Sequence, residues 1–168
     1  MKDILKETWM IEMIRTLTNM YDHGWDERNG GNVSIMLEEE QVAECLDIGK
    51  VIRTIPTGFP VPALAGKYFL VTGTGKYFKN VQYAPEVNLG LVRITAAGDE
   101  AELLWGFADG GQFTSEFPAH MMSHAARLEV NPQNRVYMHC HPTNLLAMTY
   151  VHELDERAFT RTLWQMCT

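Results

Sequence analysis

Two apolar runs, residues 89–97 and 101–107, are separated only by Gly98-Asp99-Glu100. A link that short joins two strands as a hairpin, because parallel strands need a crossover of about a dozen residues or more. The sheet must therefore contain antiparallel pairing. Residues 68–72, Tyr-Phe-Leu-Val-Thr, are a second β-branched and aromatic run. It stops at Gly73-Thr74-Gly75 and reads as a strand delivering a tight turn. Val33, Ile35 and Leu37 alternate with Ser34 and Met36 after another glycine-bearing turn, and residues 135–141 read as a further strand.

Helical periodicity fills the gaps between these runs. Leu5, Trp9, Met10, Met13, Ile14, Leu17 and Tyr21 recur at three- and four-residue steps, which predicts an amphipathic helix within residues 3–22, ended by Gly24. Thr114-Ser115-Glu116 precedes a second helical pattern running to about Leu128, with Thr114 or Ser115 as N-cap. Pro142 suits the first turn of another helix, and Asp155 opens a last one through Trp164. Residues 38–66 are acidic at the front and carry Pro56, Pro60 and Pro62, so they read as loop with an edge strand near 51–54. No repeat, low-complexity tract or linker interrupts residues 1–168, and the expectation is one α/β domain layered around a mixed, mainly antiparallel sheet.

Composition narrows the function. A chain of 168 residues, 46% hydrophobic and 21% charged, is long enough to bury a core. Lys and Arg number 14 against 21 Asp and Glu, and a net charge of -7 argues against a nucleic-acid partner. The start, MKDILKETWM, has no long apolar segment, and no later window reaches bilayer length, so the expectation is a cytoplasmic protein without a membrane partner. Cys45, Cys140 and Cys167 are odd in number and irregular in spacing, which suits reduced thiols.

The chemistry-bearing residues fall into a few short blocks. His139 and His141 share one side of a strand and could hold one ion, although two hydrogen-bonded histidines satisfy the same pattern. His120 and His124 share a helix face, but no Glu follows His120 and methionines flank it, which favours a structural role. His23 and His152 are isolated. Asn29-Gly30-Gly31-Asn32 and Gly73-Thr74-Gly75 are glycine loops set against strands, where amide and hydroxyl donors can cradle a phosphate. Neither matches a nucleotide-binding pattern. Glu116, at a helix start, is either a favourable first-turn carboxylate or a proton carrier.

Taken together, Gly24-Trp-Asp-Glu-Arg-Asn-Gly-Gly-Asn32, Thr72-Gly-Thr-Gly-Lys-Tyr-Phe-Lys-Asn80, Leu104-Trp-Gly106, Thr114-Ser-Glu-Phe-Pro-Ala-His120 and His139-Cys-His-Pro-Thr-Asn144 resemble the rhamnulose-1-phosphate aldolase family of class II aldolases, in order and with similar spacing. The resemblance implies a three-layer α/β/α fold around a mainly antiparallel sheet, assembled as a homotetramer. It implies a zinc-dependent lyase of rhamnose metabolism that cleaves a phosphorylated ketose, L-rhamnulose 1-phosphate, to dihydroxyacetone phosphate and L-lactaldehyde. His139 and His141 would be zinc ligands, Glu116 the acid/base, and Asn29, Gly31, Asn32, Thr74, Thr114 and Ser115 the phosphate site. Thr74 stands where the family pattern has Ser, which keeps the hydroxyl, while Phe117 and Pro142 also depart from that pattern. The family's third histidine has no counterpart here, so it and a further glutamate are expected beyond Thr168, in a C-terminal portion that this chain lacks. A related sugar-phosphate epimerase and a catalytically incomplete metal-binding fragment stay open beside the aldolase.

Overall fold

The computed structural model describes residues 1–166. A short 3-10 turn leads into α1 (Thr8–Asp22), whose buried stripe is Trp9, Met10, Met13, Leu17 and Met20. Gly24, at φ +71°, stops it. The N–H of Gly24 donates to Tyr21 O and that of Trp25 to Met20 O, the paired bonds of a Schellman cap. The chain then crosses a loop into β1 (Asn32–Leu37), turns through α2 (Glu39–Ala43) and reaches β2 (Arg53–Pro56) and β3 (Tyr68–Thr72). Two single-turn helices, α3 (Phe78–Val81) and α4 (Pro85–Asn88), precede the hairpin of β4 (Leu89–Ile94) and β5 (Glu100–Gly106). Helix α5 (Phe117–Val130), strand β6 (Val136–His139), α6 (Thr143–Thr149) and α7 (Glu156–Met166) complete the described residues.

The six strands form one sheet in the order β2-β5-β4-β3-β1-β6, and every pairing is antiparallel. The mainly antiparallel sheet expected from sequence is met, with no parallel pairing among the described residues. Central β3 is buried along its whole length, which explains an apolar run without alternation. Tyr68 and Leu70 pack with Trp9, Met10 and Leu17 of α1, whereas Phe69 and Val71 pack with Phe117 and Met121 of α5. Helices thus cover both faces, giving an α/β/α arrangement.

Several local expectations shift. The capping box of Glu38 and Gln41 starts α2 inside a stretch read as loop. The edge strand near 51–54 lies at Arg53–Pro56, paired to β5. Glu116, rather than Thr114 or Ser115, is the α5 N-cap, and Thr114 Oγ1 instead accepts from the Glu116 N–H at 3.3 Å. Pro142 caps α6 instead of entering its first turn. Asp155 Oδ1 accepts from the N–H groups of Arg157 and Ala158, which sets the start of α7. Cys45 and Cys140 are free thiols; Cys167 and the end of the chain at Thr168 lie outside the described residues. No helix among the described residues is long and apolar enough to cross a membrane.

Neither α6 nor α7 buries a residue, and Trp164 is 77% exposed. Edge strand β6 likewise leaves Val136 and Met138 half-exposed.

Candidate active site

Three chain segments meet at one end of β1 and β3. The Schellman cap of α1 aims residues 25–31 across the end of β6, so close that a Cβ on Gly30 would lie 2.7 Å from His141 Nδ1 and one on Gly31 3.0 Å from the His139 carbonyl oxygen. Only glycine permits that approach at Gly31, where φ is +104°. The turn after β3 is clipped to the segment before α5: the Thr74 N–H donates to Gln112 O and the Thr114 N–H to Thr72 O. The Thr74 N–H is therefore committed, and what this residue offers an anion is its hydroxyl.

Between these segments lies a cavity of about 230 Å³. Its walls include Asn29, Gly31, Asn32, Thr74, Thr114, Ser115, Glu116 and His141. All six residues expected from sequence around a phosphate are thus brought together, although they come from three separate segments. Among the described residues the walls carry no lysine or arginine, so the donors an anion would meet there are neutral groups and the start of α5, with the Glu116 carboxylate on the same wall.

His139 ends β6, and His141 lies beyond it, so the two do not share a continuous strand as expected. Their imidazoles converge all the same, because the His141 N–H donates to Trp25 O and ties the chain to the glycine loop. The Nε2 atoms are 3.1 Å apart. On the opposite edges, His139 Nδ1 lies 2.6 Å from Glu116 Oε2 and His141 Nδ1 lies 2.8 Å from Glu27 Oε1.

This geometry fits a metal ion. With both Nδ1–H groups donating to carboxylates, two neutral imidazoles turn Nε2 lone pairs toward each other, and only a cation or a shared proton relieves that contact. Two nitrogens bound tetrahedrally to zinc at about 2.0–2.1 Å would lie about 3.3–3.4 Å apart, close to the observed spacing. Carboxylates on the far ring nitrogens are the usual outer partners of zinc-bound histidines. Among the described residues no group of three or more His, Cys, Asp or Glu side chains is arranged to hold an ion, so the pair supplies part of a ligand set. His152 sits against the Phe159 ring.

Partial burial raises the Glu116 carboxyl, but hydrogen bonding with His139 and Asn32 and the nearby imidazoles outweigh it and bring its pKa below the ordinary value. Glu116 therefore stands as the carboxylate. His120 and His124 are buried in α5, and burial foremost pushes them down to about 3 and about 4, which keeps both rings neutral.

Glu27 was not singled out by sequence reasoning, and nothing in local spacing says that it reaches a histidine 114 residues away. Asp26 was also missed. It is 4% exposed, its Oδ2 accepts from the Phe78 N–H at 3.0 Å, and its Oδ1 has no hydrogen-bond partner among the described residues. Desolvation pushes its pKa up to about 6 from 3.8. A carboxyl raised in the folded state costs nothing while both states are protonated and costs most once pH passes the folded value. The shift corresponds to at most about 3 kcal/mol above pH 6. Asp26→Asn keeps an acceptor for Phe78 and removes the buried charge, so calorimetric melting should rise by several degrees at pH 8 and barely change at pH 4.

The chain matches the class II aldolase and adducin N-terminal domain over residues 11–167. A rhamnulose-1-phosphate aldolase of Listeria monocytogenes is 62% identical over 167 residues, covering 99% of this chain and 61% of that protein. One from Enterococcus faecalis is 55% identical over 166 residues, covering 99% and 60%. The crystal structure of a sugar-phosphate aldolase from Thermotoga maritima superposes with a TM-score of 0.70 at 31% identity, over 86% of this chain and 58% of that one. The chain spans about 61% of the length of the curated relatives it matches. A match over nearly the whole chain, carried on the same layered sheet that gathers the cavity, establishes that this chain belongs to the class II aldolase and adducin N-terminal domain family.

Proposed function

We propose that this chain carries the substrate cavity and part of the metal site of a rhamnulose-1-phosphate aldolase, which cleaves L-rhamnulose 1-phosphate to dihydroxyacetone phosphate and L-lactaldehyde. The observation that carries the reading is the cavity of about 230 Å³ that joins two glycine loops, the start of α5 and His141 in one space. The relatives named for that reaction, 62% and 55% identical, support the choice of substrate.

His139 and His141 would hold zinc, with the third ligand supplied from outside this chain's residues. When bound, zinc would supply Lewis acidity, offsetting the negative charge that develops on the substrate when its C3–C4 bond breaks. Glu27 and Glu116 accept the Nδ1–H of the two imidazoles and so fix their tautomers. Asn29, Asn32, Thr74, Thr114 and Ser115 donate to the phosphate, while Gly31 lets the backbone approach it. Holding the phosphate away from the reacting bond orients the substrate. Glu116 carries the proton at C3: as carboxylate it removes that proton in the condensation direction, and in cleavage it delivers one there. The proton lost from the C4 hydroxyl balances the one gained at C3. We assign the setting to the cytoplasm and the assembly to a homotetramer, which sedimentation of the purified protein would test.

The reading is tested by incubating a chain carried to the length of the curated relatives with zinc and L-rhamnulose 1-phosphate. Release of triose phosphate is expected. An epimeric ketose phosphate without triose phosphate would replace the aldolase by an epimerase. In the same assay Asn29→Ala should raise KM for the phosphorylated ketose by about tenfold, the scale of one donor lost to a charged group. Undiminished discrimination between phosphorylated and unphosphorylated ketose would remove Asn29 from the phosphate site. Residues 1–168 alone are expected to hold zinc weakly and to release little triose phosphate, because two imidazoles are fewer than the three protein ligands of a catalytic zinc. Full zinc occupancy by elemental analysis, with rapid cleavage, would refute that expectation.

A further inference from the structure

Four buried polar side chains run in single file from the core to the cavity. His124 Nε2 lies 2.8 Å from Ser34 Oγ, Ser34 Oγ 2.7 Å from His120 Nδ1, and His120 Nε2 2.5 Å from Asn32 Oδ1. None of the four is more than 4% exposed. Asn32 in turn borders the Glu116 carboxylate and lines the cavity.

Such a file can be protonated in two directions. In one, His120 carries its proton on Nδ1 and donates to Ser34, so its Nε2 must accept. Asn32 would then have to turn its NH2 toward His120 and its carbonyl oxygen into the cavity, the reverse of the orientation in which Oδ1 faces His120 Nε2. In the other, His124 Nε2–H donates to Ser34, the Ser34 hydroxyl donates to His120 Nδ1, and His120 Nε2–H donates to Asn32 Oδ1. The Asn32 NH2 is then left to donate into the cavity. Asn32 presents its Oδ1, which can only accept, to His120 Nε2, and that geometry selects the second direction.

We infer that His120 is a positioning residue: its Nε2–H fixes Asn32 with the amide donors facing the cavity, while Ser34 and His124 fix the tautomer of His120. The role rests on the reading of this cavity as a phosphate site. His120 touches no substrate, and its effect passes through the orientation of one side-chain amide. A hydrogen-bonded file in a low-dielectric interior polarises along its length, so a defect anywhere in it reaches Asn32. A polar core that merely stabilised the fold would set melting temperature without setting anion affinity.

The test uses the 168-residue chain and three variants with two readouts, imidazole 15N NMR for tautomers and titration with inorganic phosphate for anion binding. In the unmodified chain His120 and His124 are both expected as the Nε2–H tautomer, and His120 found as Nδ1–H overturns the inference. His120→Phe keeps a ring and loses the donor, and it should weaken phosphate binding about tenfold. His120→Gln, whose amide N–H can reach Asn32 in place of Nε2–H, should restore binding to within about threefold. Ser34→Ala is a smaller change that carries the comparison if the phenylalanine variant does not fold. It should shift part of His120 to Nδ1–H and weaken binding accordingly. Equal phosphate affinity in the unmodified chain and in folded variants overturns the role of His120 alone. No phosphate binding by the unmodified chain overturns the phosphate-site reading and this role with it.

Discussion

His139→Ala, in a chain carried to the length of the curated relatives, is expected to empty the zinc site and to cut triose phosphate release by well over the roughly 10–100-fold that loss of an outer partner costs. The reason lies in the convergence of His139 and His141, whose Nε2 atoms stand 3.1 Å apart with carboxylates behind both rings. Removing one ring leaves a single imidazole, and Glu116 loses the group that its Oε2 engages. Elemental analysis and a coupled triose phosphate assay check both halves. His152→Ala is the matched control, since that ring packs on Phe159 and should leave zinc and turnover unchanged. Zinc retained at full stoichiometry by His139→Ala would show that the ion sits elsewhere.

Glu116→Gln should behave differently, keeping the metal while turnover falls about a hundredfold or more, the scale of general acid/base catalysis. The amide oxygen can still accept from the His139 Nδ1–H, so the ring keeps its orientation, but the side chain no longer moves a proton. Comparing the two variants separates holding the ion from carrying the proton. Near-normal turnover in Glu116→Gln, with zinc unchanged, would take the acid/base role from this residue.

Much of the framework was legible in the sequence because its signals are local. The hairpin of β4 and β5 follows from a short glycine link, and β3 from an apolar run ended by Gly73. The stripe of α1 follows from helical spacing, and Gly24 marks its end. What was not legible depends on contacts far apart in the chain. Spacing alone placed His139 and His141 on one strand, yet the strand stops at His139, and the pair meets because the Trp25 carbonyl ties down His141. The partnership of Glu27 with His141 spans 114 residues, and no pattern along the chain announces it. The expectation of Thr114 or Ser115 as N-cap failed because Thr114 is held in the turn that lines the cavity, where its N–H donates to Thr72 O.

The residues proposed to hold the phosphate were legible as blocks but not as one cavity. Asn29, Gly31 and Asn32 come from the loop before β1, Thr74 from the turn after β3, and Thr114 and Ser115 from the approach to α5. Only the register of β1 with β3, in which Ser34 faces Val71, brings the first two segments side by side. The clip from Thr74 to Gln112 then adds the third. The antiparallel sheet is what turns three weak motifs into one cavity.

The most direct measurement is zinc-edge anomalous scattering from crystals of the protein grown with zinc and dihydroxyacetone phosphate. One strong peak is expected about 2.0–2.1 Å from Nε2 of both His139 and His141, with the phosphate inside the cavity lined by Asn29, Asn32, Thr74 and Ser115. A peak on any other set of side chains, or a phosphate bound outside that cavity, would contradict that placement.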